Sequence, residues 1–408
     1  MLRTLRDFLV PFVLIIVFLF VVWFRLKHDL PAMPDFYRAY YPAGRLIFEN
    51  PENLYGVTKP VVYGFVNLPI FAYLLAPLAV FNEKTAGFLF TIFGVASVLL
   101  SAFWLIKITG LYGWKRNLLF AFFTFGIPFY NSIWLGNSTH FILLLVIGSW
   151  VCFRSGRDLW SGFFLALAGL IKIPLLFPII YFILKKRWYV VFGFSATLLG
   201  IVGLSILVCG LPLNLTWLKE CILSFSGTAI AAYNVQSVDA FLLRLLSDSP
   251  ISSWELIQVV PLFKVLRYIL FSMFIGGTIF VCWHSRFSTA PKTENLEFSS
   301  FLCLAILISP VSWSHYYLLL VLPVALYLGG QLGIPDNWYW KVWMAVSTVL
   351  IILPPVKRDS FNHPVIAALV RNILVSHYFW GGVLLLGCLL ATNLQINRKV
   401  WKLEKETA

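Results

Sequence analysis

Long apolar segments alternate with short polar loops along almost the whole sequence. Many of these segments approach the roughly 20 residues that an α-helix needs to cross a bilayer. The first, residues 8–24, follows Arg3 and Arg6 and precedes no small-residue cleavage site, so it is predicted to be a retained span. The further predicted spans are residues 86–107, 118–134, 139–153, 161–184, 189–211, 262–283, 298–309, 316–329, 342–356 and 375–393.

Residues 161–184 have basic flanks at both ends, which predicts that both ends lie on the same side of the membrane. The centre of this segment reads Lys172-Ile173-Pro174, and proline stops a helix at the residue before it. About ten residues on either side span roughly 15 Å, about half of the hydrocarbon core. The segment is therefore predicted to form two short helices with Lys172 at the break. One full span is the alternative.

Composition supports an all-α polytopic membrane protein with about 10–12 transmembrane helices, because the chain is 60% hydrophobic and only 12% charged. The formal net charge is +14, but the basic residues lie in short loops between spans, which is a topology signal and not a nucleic-acid footprint. They place the N-terminus inside.

This topology predicts one integral membrane domain, residues 1–408. Residues 25–85 form an external loop, in which residues 67–81 are predicted to be a juxtamembrane helix. Core helices fill residues 86–330 and include a second external loop, residues 212–261. Residues 331–394 hold the last spans, and residues 395–408 are a basic cytoplasmic tail.

The six cysteines lie mostly within spans and form no Cys-x-x-Cys motif, so they are interpreted as small apolar fillers. An external pair, Cys209 with Cys221, is an alternative. No metal-ligand cluster and no glycine-rich phosphate loop is visible in the sequence.

Five separate parts of the chain place polar residues at the predicted outer side. They are Asp35, Asn137, Lys172, the stretch Asn234–Ser237 and the stretch Ser312–His315. Ionisable residues inside hydrophobic segments are costly, so Lys172 is a functional candidate, although a snorkelling lysine is the alternative. Asp35 is a candidate general base, and the alternative is that it only caps a helix that starts at Phe36, although one residue can do both. Asn137 could be a turn residue and His315 an interfacial one.

A carboxylate and a cation at membrane depth suit one reaction. The cation holds a lipid phosphate while the carboxylate accepts the proton of an acceptor hydroxyl that replaces this phosphate on a sugar.

Motifs in one consistent order carry a resemblance. They are Asp35-Phe36-x-x-x-Tyr40-Tyr41-x-Ala43, Asn67-Leu68-Pro69-Ile70-Phe71 with Ala76-Pro77-Leu78, Leu135-Gly136-Asn137-Ser138, Gly169-x-x-Lys172-Ile173-Pro174 with Lys185-Lys186-Arg187-Trp188, Asn234-Val235-Gln236-Ser237 with Arg244, and Ser309-Pro310-Val311-Ser312-Trp313-Ser314-His315. The chain resembles the GT-C glycosyltransferases and, within them, family 87, which includes polyprenol-phosphate-mannose-dependent α-mannosyltransferases.

This resemblance implies a GT-C-type helix bundle and a metal-independent, inverting transferase without a cofactor. Its donor would be a polyprenyl-phosphate sugar, its acceptor a glycolipid or glycan, and its site would face the external or periplasmic side of the cell membrane. The implied catalytic residues are Asp35, as general base, and His315. The implied contacts to the donor phosphate or lipid are Lys172, Asn137, Tyr40, Tyr41 and Arg38. The implied contacts to the acceptor or sugar are Asn234, Gln236, Ser237 and Trp313.

Two positions depart from the family pattern, since Asn137 stands where relatives usually carry Gln, and Ser314 where they often carry an acidic or polar residue. Two other functions stay open. A lipid-linked glycan polymerase or ligase would combine many spans with a large outer loop, and a transporter or flippase would show paired broken helices and charges in both leaflets.

Overall fold

Helices account for nearly all regular structure in the computed structural model, which describes residues 12–17, 19, 20, 24, 33–56, 64–357 and 364–407. Within the predicted first span, residues 8–24, the structure describes residues 12–17, 19, 20 and 24, all of which are helical. Residues 25–32 and 57–63 of the first external loop lie outside the described residues. The chain divides into two units. The first comprises the described parts of Met1–Ile106, Tyr112–Leu176 and Phe192–Thr228, and the second those of Lys107–Leu111, Phe177–Val191 and Ala229–Ala408.

The α-helices up to the end of the first unit are α1 Tyr41–Glu49, α2 Phe71–Ala79, α3 Glu83–Thr109, α4 Gly113–Phe125, α5 Ile127–Leu135, α6 Thr139–Arg154, α7 Asp158–Ile171, α8 Ile179–Leu184, α9 Trp188–Cys209 and α10 Leu211–Trp217. Those that follow are α11 Val238–Leu246, α12 Pro261–His284, α13 Pro291–Leu307, α14 Val321–Leu328, α15 Trp338–Ile352, α16 Pro364–Leu369 and α17 His377–Thr407. The two strands, β1 Thr228–Ala229 and β2 Ile257–Gln258, have two residues each.

Within the described residues, five segments are long and apolar enough to cross a membrane, namely Glu83–Thr109, Gly113–Leu135, Trp188–Cys209, Pro261–His284 and His377–Arg398. Five shorter apolar helices accompany them, at Thr139–Arg154, Asp158–Ile171, Ile173–Leu184, Ser314–Leu328 and Trp338–Ile352. The chain is therefore an all-α polytopic membrane protein, as the hydrophobic pattern predicts.

The predicted break at Lys172 is confirmed. Helix α7 ends at Ile171, Lys172 adopts an extended backbone, and a 3₁₀ turn Ile173–Leu176 follows. Pro174 lies in this turn and has no N–H to continue the α-helical ladder. One uninterrupted helix over residues 161–184 is therefore wrong, whereas the return of both ends to the same membrane side stays a prediction.

Helix ends differ from several predicted spans. The span predicted at 342–356 is the helix α15, Trp338–Ile352, because the Asn337 side chain accepts the N–H of Trp340 and so caps the helix four residues earlier. The span predicted at 298–309 begins at Pro291, since proline suits a first turn that needs no N–H donor there. The alternative pairing of Cys209 with Cys221 is wrong, because both are free thiols.

In the first unit, the external segment packs on its own helices. A Cβ at Gly44 would lie 2.8 Å from the carbonyl carbon of Leu75, so only glycine lets α1 and α2 approach this closely. The Asn67 side chain donates to the carbonyl oxygen of Ile171 at 2.8 Å, and the Tyr55 hydroxyl donates to the carbonyl oxygen of Asn67 at 2.7 Å. These bonds fix the segment to the helix end that precedes Lys172.

In the second unit, α13 is the central helix, with every residue from Thr293 to Leu307 buried. The long helix α17 packs against it, and the Cys303 thiol lies 3.3 Å from the carbonyl oxygen of Gly382. Helix α15 packs on α17, where the side chains of Ser347 and Trp343 donate at 2.8 Å to main-chain oxygens of α17. These side-chain bonds replace water, which a helix pair inside a membrane lacks.

Candidate active site

Three of the predicted site residues meet in the first unit around the side chain of Asn137. Its amide nitrogen donates to Oδ2 of Asp35 at 2.6 Å, although the two residues are 102 positions apart. Its amide oxygen accepts the ammonium group of Lys172 at 3.4 Å. One amide therefore joins two charged groups that the sequence singles out as reactive candidates in this unit.

The orientation of this amide follows from its neighbours. Oδ1 of Asn137 also accepts the backbone N–H of Thr139 at 3.1 Å and its hydroxyl at 2.8 Å. An N–H and an ammonium group are donors only, so the atom they share must be the oxygen. The nitrogen then faces Asp35, whose carboxylate can only accept. Asn137 is thus fixed as a donor to the carboxylate.

Asp35 does not cap the helix that follows it. It precedes a π-helical turn, Phe36–Tyr40, in helical geometry itself, and its side chain makes no capping hydrogen bond. The capping alternative is wrong, and the carboxylate is turned to Asn137 instead. Beside it, Phe36 is fully buried, with its ring centroid 4.8 Å from that of Phe90, so the turn that carries Asp35 is anchored in the apolar core.

Partial burial raises the pKa of Asp35 above the usual aspartate value, because removal from water disfavours the charged form. The Asn137 amide, the Lys172 ammonium and the Arg38 guanidinium lower this pKa again, in that order, but together they do not offset the burial. A carboxylate with a raised pKa holds a proton more tightly and is a stronger base. The geometry therefore presents a basic carboxylate next to a cation.

The turn that carries Asn137 depends on Gly136. This residue has φ +66°, a left-handed conformation, and a Cβ there would lie 2.6 Å from Cβ of Phe36. Both the conformation and the close approach require glycine. The backbone N–H of Asn137 donates to the carbonyl oxygen of Ser132 at 2.8 Å, which closes the end of α5. Gly136 thus seats Asn137 directly beside the Asp35 turn.

Sequence reasoning missed His140, which lies one helical turn after Asn137. It is fully buried, and its Nδ1 lies 2.9 Å from the Ser132 hydroxyl. A Cβ at Gly94 would lie 2.3 Å from its Nε2, so the neighbouring helix is closely fitted to the imidazole. Ser132 therefore supports the site twice, with its carbonyl oxygen on Asn137 and its hydroxyl on His140. The only signal in the sequence was a histidine inside an apolar run.

The remaining predicted donor contacts in this unit have different surroundings. The Tyr40 hydroxyl donates to the Ser138 hydroxyl at 3.1 Å, next to Asn137 in the chain. The Tyr41 hydroxyl donates to the carbonyl oxygen of Phe81 at 2.9 Å, and its ring is buried in the cluster around Phe36. Arg38 is exposed. Tyr40 and Arg38 are thus close to the Asp35 turn, whereas the geometry of Tyr41 favours a structural role.

The second unit brings its two predicted stretches together. Val235 and Trp313 form an antiparallel bridge, in which the Gln236 N–H donates to the carbonyl oxygen of Ser312 at 2.6 Å and the Ser314 N–H donates to that of Asn234 at 2.7 Å. Two loops that are 78 residues apart are thereby joined through their backbones. The sequence predicted this convergence from polarity alone.

Some polar side chains in these loops form hydrogen bonds to the protein main chain. Gln236 is fully buried and donates at 2.6 Å to the carbonyl oxygens of Tyr233 and Val375. Ser237 is also buried, and it caps α11 by accepting the N–H of Ala240 at 3.2 Å. Both hold the loop in place, so the sugar contacts predicted for them remain predictions that the geometry does not favour.

Three side chains remain as candidates for substrate contact. Trp313 is half-buried, and its ring is nearly parallel to that of His315, at 13° with centroids 6.4 Å apart. His315 itself is 2% exposed. The Asn234 amide oxygen accepts the indole N–H of Trp254 at 2.9 Å. These residues belong to the second unit, so their participation in one site with Asp35 stays a prediction.

Arg244 binds main-chain carbonyl oxygens on both sides of Asn234. Its guanidinium is buried and donates to the carbonyl oxygens of Ala231, Ala232 and Val235 at 3.2, 3.1 and 2.9 Å. Arg371 in turn donates to the carbonyl oxygen of Arg244 at 3.1 Å. The family resemblance includes Arg244 only as a motif residue. In the structure its guanidinium binds three carbonyl oxygens in the loop that contains Asn234.

Among the described residues, no group of three or more His, Cys, Asp or Glu side chains could hold a metal ion. Metal independence and the lack of a cofactor stay predictions.

We expect Asn137→Leu to reduce turnover roughly 10- to 100-fold, because a hydrogen bond to a charged group contributes about 1.5–3 kcal/mol. Leucine has a similar size but cannot donate to Asp35. Asn137→Gln keeps the amide and serves as the matched variant, with a smaller expected loss. Initial rates of membranes with equal protein content would measure both. Equal rates for wild type and Asn137→Leu would contradict a role for the bridge.

The sequence profile of glycosyltransferase family 87 matches residues 65–310, which is more than half of the chain. No curated protein matches the chain. Asn137 and Lys172 lie inside the matched segment, whereas Asp35 precedes it and His315 follows it. With its many apolar helices and this match, the chain belongs to glycosyltransferase family 87 and is a membrane glycosyltransferase.

Proposed function

We propose that the protein transfers a sugar, with mannose as the first candidate, from a polyprenyl-phosphate donor to a glycolipid or glycan acceptor, with inversion at the anomeric carbon. The observation that supports this most is the bridge in which one Asn137 amide joins the Asp35 carboxylate to the Lys172 ammonium. A transferase of this kind needs a base for the acceptor and a cation for the leaving phosphate, close to each other.

In the proposed reaction, the acceptor hydroxyl oxygen forms a bond to the anomeric carbon of the sugar. The bond between that carbon and the phosphate oxygen breaks, and the electron pair leaves with the polyprenyl phosphate. Asp35 accepts the proton of the hydroxyl. Lys172 holds the phosphate, whose negative charge increases as the bond breaks. Buried fixed cations stabilise such charge more strongly than water does.

Asn137 has two parts in this scheme. Its donated hydrogen bond orients the Asp35 carboxylate, and its amide oxygen holds the Lys172 ammonium, so base and cation keep a constant separation. We propose that His315, beside Trp313, contacts the donor phosphate or assists proton transfer, and that Trp313 and Asn234 contact the acceptor or sugar. Tyr40 and Arg38 would contact the donor from the Asp35 turn.

The proposed site faces the external or periplasmic side of the cell membrane. This proposal rests on charge distribution, because basic residues concentrate in the loops predicted to be cytoplasmic. The segment that carries Asp35 is the first loop on the opposite side in that topology.

Family membership favours transfer over the two other functions. A transporter or flippase would need no base, and it would leave the Asp35–Asn137–Lys172 bridge without a task. A polymerase or ligase would use a lipid-linked glycan as donor, and the same base could serve it. The donor therefore distinguishes these functions best.

The test uses the full-length protein in vesicles with a host lipid extract as acceptor. Polyprenyl-phosphate mannose, a polyprenyl-phosphate hexose of another kind and GDP-mannose would each carry a radiolabel in the sugar. We expect a labelled glycolipid from the first donor and none from GDP-mannose. Label that crosses the membrane without a new product would support a flippase instead, and transfer of a preassembled labelled glycan alone would support a ligase.

The pH dependence should show the raised pKa of Asp35. The base must be ionised to accept a proton, so activity falls as the pH drops through this pKa. Because burial raises it, we expect the acid limb of kcat/KM to lie above the ordinary aspartate value of about 3.9. Rates from acidic to neutral pH would measure this limb. A limb at or below the ordinary value would contradict Asp35 as a partly desolvated base.

A further inference from the structure

Two turns of the second unit are locked together by a buried ion pair. The Lys185 ammonium lies 2.7 Å from Oε2 of Glu297, with side chains 4% and 0% exposed. Lys185 also donates to the carbonyl oxygens of Ser285 and Ser288 at 2.9 and 2.7 Å. The three N–H donors of this buried ammonium group are therefore matched by one carboxylate and two carbonyl oxygens. The turn at residues 285–288 is therefore fixed on the turn at residues 185–187.

Some of the basic side chains in these turns form ion pairs with carboxylates, and others do not. Arg187 pairs with Glu294 at 2.9 Å, so two of the three basic residues in Lys185-Lys186-Arg187 have carboxylate partners. Lys186 and Arg286 have no carboxylate within ion-pair distance among the residues that the structure describes. These two cations are available to another anion.

The same two cations lie near aromatic rings, and the ring of Phe287 is near both of them. The Arg286 guanidinium carbon is 4.0 Å from the ring centroid of Trp283 and 4.3 Å from that of Phe287. The Lys186 ammonium lies 5.7 Å from the Phe287 centroid. Phe287 is 69% exposed and Trp283 is 49% exposed. One exposed ring, that of Phe287, is thus within cation–π distance of both residues, which brings two positive charges to one surface patch.

The backbone of Lys186 adopts a left-handed conformation that is unfavourable for a residue with a Cβ. Its φ is +55°, and no other non-glycine residue in the described part of the chain has a positive φ. Glycine or asparagine would adopt the left-handed region at lower cost. A strained lysine where glycine would suffice indicates that the side chain has a task.

The patch lies where two candidate membrane spans end. Helix α12 ends at His284, one residue after Trp283, and α9 begins at Trp188, two residues after Lys186. Trp188 and Tyr189 in the first turn of α9 are 59% and 72% exposed. Exposed aromatic and basic residues at span ends are typical of the headgroup level of a bilayer. The ligand of the patch should therefore be found in the membrane.

We propose that Lys186, Arg286 and the rings of Trp283 and Phe287 form a binding site for the phosphate of an anionic phospholipid. The two cations would donate to the phosphate oxygens, while the rings would pack against the glycerol backbone and the upper acyl chains. This site is separate in sequence from the residues proposed for sugar transfer and does not depend on that function. The buried Lys185–Glu297 pair keeps the two cations in register.

The experiment measures phosphatidylglycerol binding to the full-length, detergent-solubilised protein by native mass spectrometry, with phosphatidylcholine as the zwitterionic comparison. We expect the first phosphatidylglycerol to bind wild type more tightly than phosphatidylcholine. Lys186→Gly should weaken that binding about fivefold, and Lys186→Gly with Arg286→Gln about thirtyfold, since each basic residue near an anionic headgroup contributes about 1 kcal/mol. The preference for the anionic lipid should then be lost.

Controls separate this site from general charge effects. Lys264→Gln removes an exposed cation at the other end of α12 and should leave the preference unchanged. Lys186→Gly should unfold at the same temperature as wild type or higher, because glycine relieves the strained backbone. A double variant with wild-type preference would overturn the proposal. So would displacement of the lipid by an equal concentration of ammonium phosphate, which would indicate a site for free anions.

Discussion

Asp35→Asn is expected to slow sugar transfer roughly 10²- to 10⁴-fold, the range that a positioned general base contributes. Asparagine has nearly the same shape and can still accept the hydrogen bond that Asn137 donates to Oδ2 of Asp35. It cannot take a proton from the acceptor. The variant therefore removes the base while it keeps the bridge, and the rate of labelled glycolipid formation would measure the loss.

Thermal stability supplies the control for this variant. The pKa of Asp35 is raised in the folded protein, so the folded state binds its proton more tightly than the unfolded state does. Stability is then lost as the pH rises from the unfolded pKa through the folded one. Above that window the ionised carboxylate costs stability, which asparagine does not. We expect Asp35→Asn at neutral pH to unfold at the wild-type temperature or higher.

This combination distinguishes a catalytic residue from a structural one. Loss of transfer with unchanged or raised stability supports Asp35 as the base. Loss of transfer together with a lower unfolding temperature would point to a structural role, and unchanged transfer would show that another group accepts the proton. Asp35→Glu places the carboxylate one methylene further out, and it should recover only part of the rate because base catalysis depends on hydrogen-bond reach.

Hydrophobic patterning predicted the fold class because lipid leaves the backbone few choices. It also predicted the break at Lys172, because residues 161–184 have basic flanks at both ends and Pro174, two residues after Lys172, disfavours a continuous helix. The patterning was less accurate about helix ends. Cap residues such as Asn337 and first-turn prolines such as Pro291 set those ends, and an apolar run shows neither of them.

The sequence predicted which residues belong to the candidate site, but it did not predict the hydrogen bonds between them. Lys172 was named because an ionisable residue inside an apolar segment is costly, and Asp35 and Asn137 were named because the predicted topology places them on the same outer side. Nothing in the sequence indicated that the amide of Asn137 would lie between the two charges, because the contact joins positions 102 and 35 residues apart. Long-range contacts of this kind depend on packing, such as that of Gly136 against Phe36.

Other residues were assigned roles that their surroundings do not favour. Gln236, Ser237 and Tyr41 are polar residues in motif positions, which made them candidates for substrate contact. In the structure their side chains bond to main-chain atoms and hold loops and helix ends. A buried backbone group without a partner is costly, so polar side chains near loops are often used to satisfy it. The sequence cannot distinguish this use from ligand binding.

Lys172→Met is the second variant with a large expected effect. Methionine approximates the length of lysine and fills the buried site without a charge. If Lys172 holds the leaving phosphate, the loss of one fixed donor should reduce the rate roughly 10²- to 10³-fold. Lys172→Arg restores the charge with a different shape and should recover part of the rate. Labelled donor at varied concentration would separate the change in kcat from that in KM.

The pH profile makes the test of Lys172 specific. Its ammonium lowers the pKa of Asp35, and its removal should raise that pKa further. The acid limb of kcat/KM for Lys172→Met should therefore move to higher pH than in wild type, while Lys172→Arg should leave the limb near the wild-type position. A slower variant with an unmoved limb would mean that Lys172 acts on the structure alone. A moved limb would show that cation and base act on each other within one site.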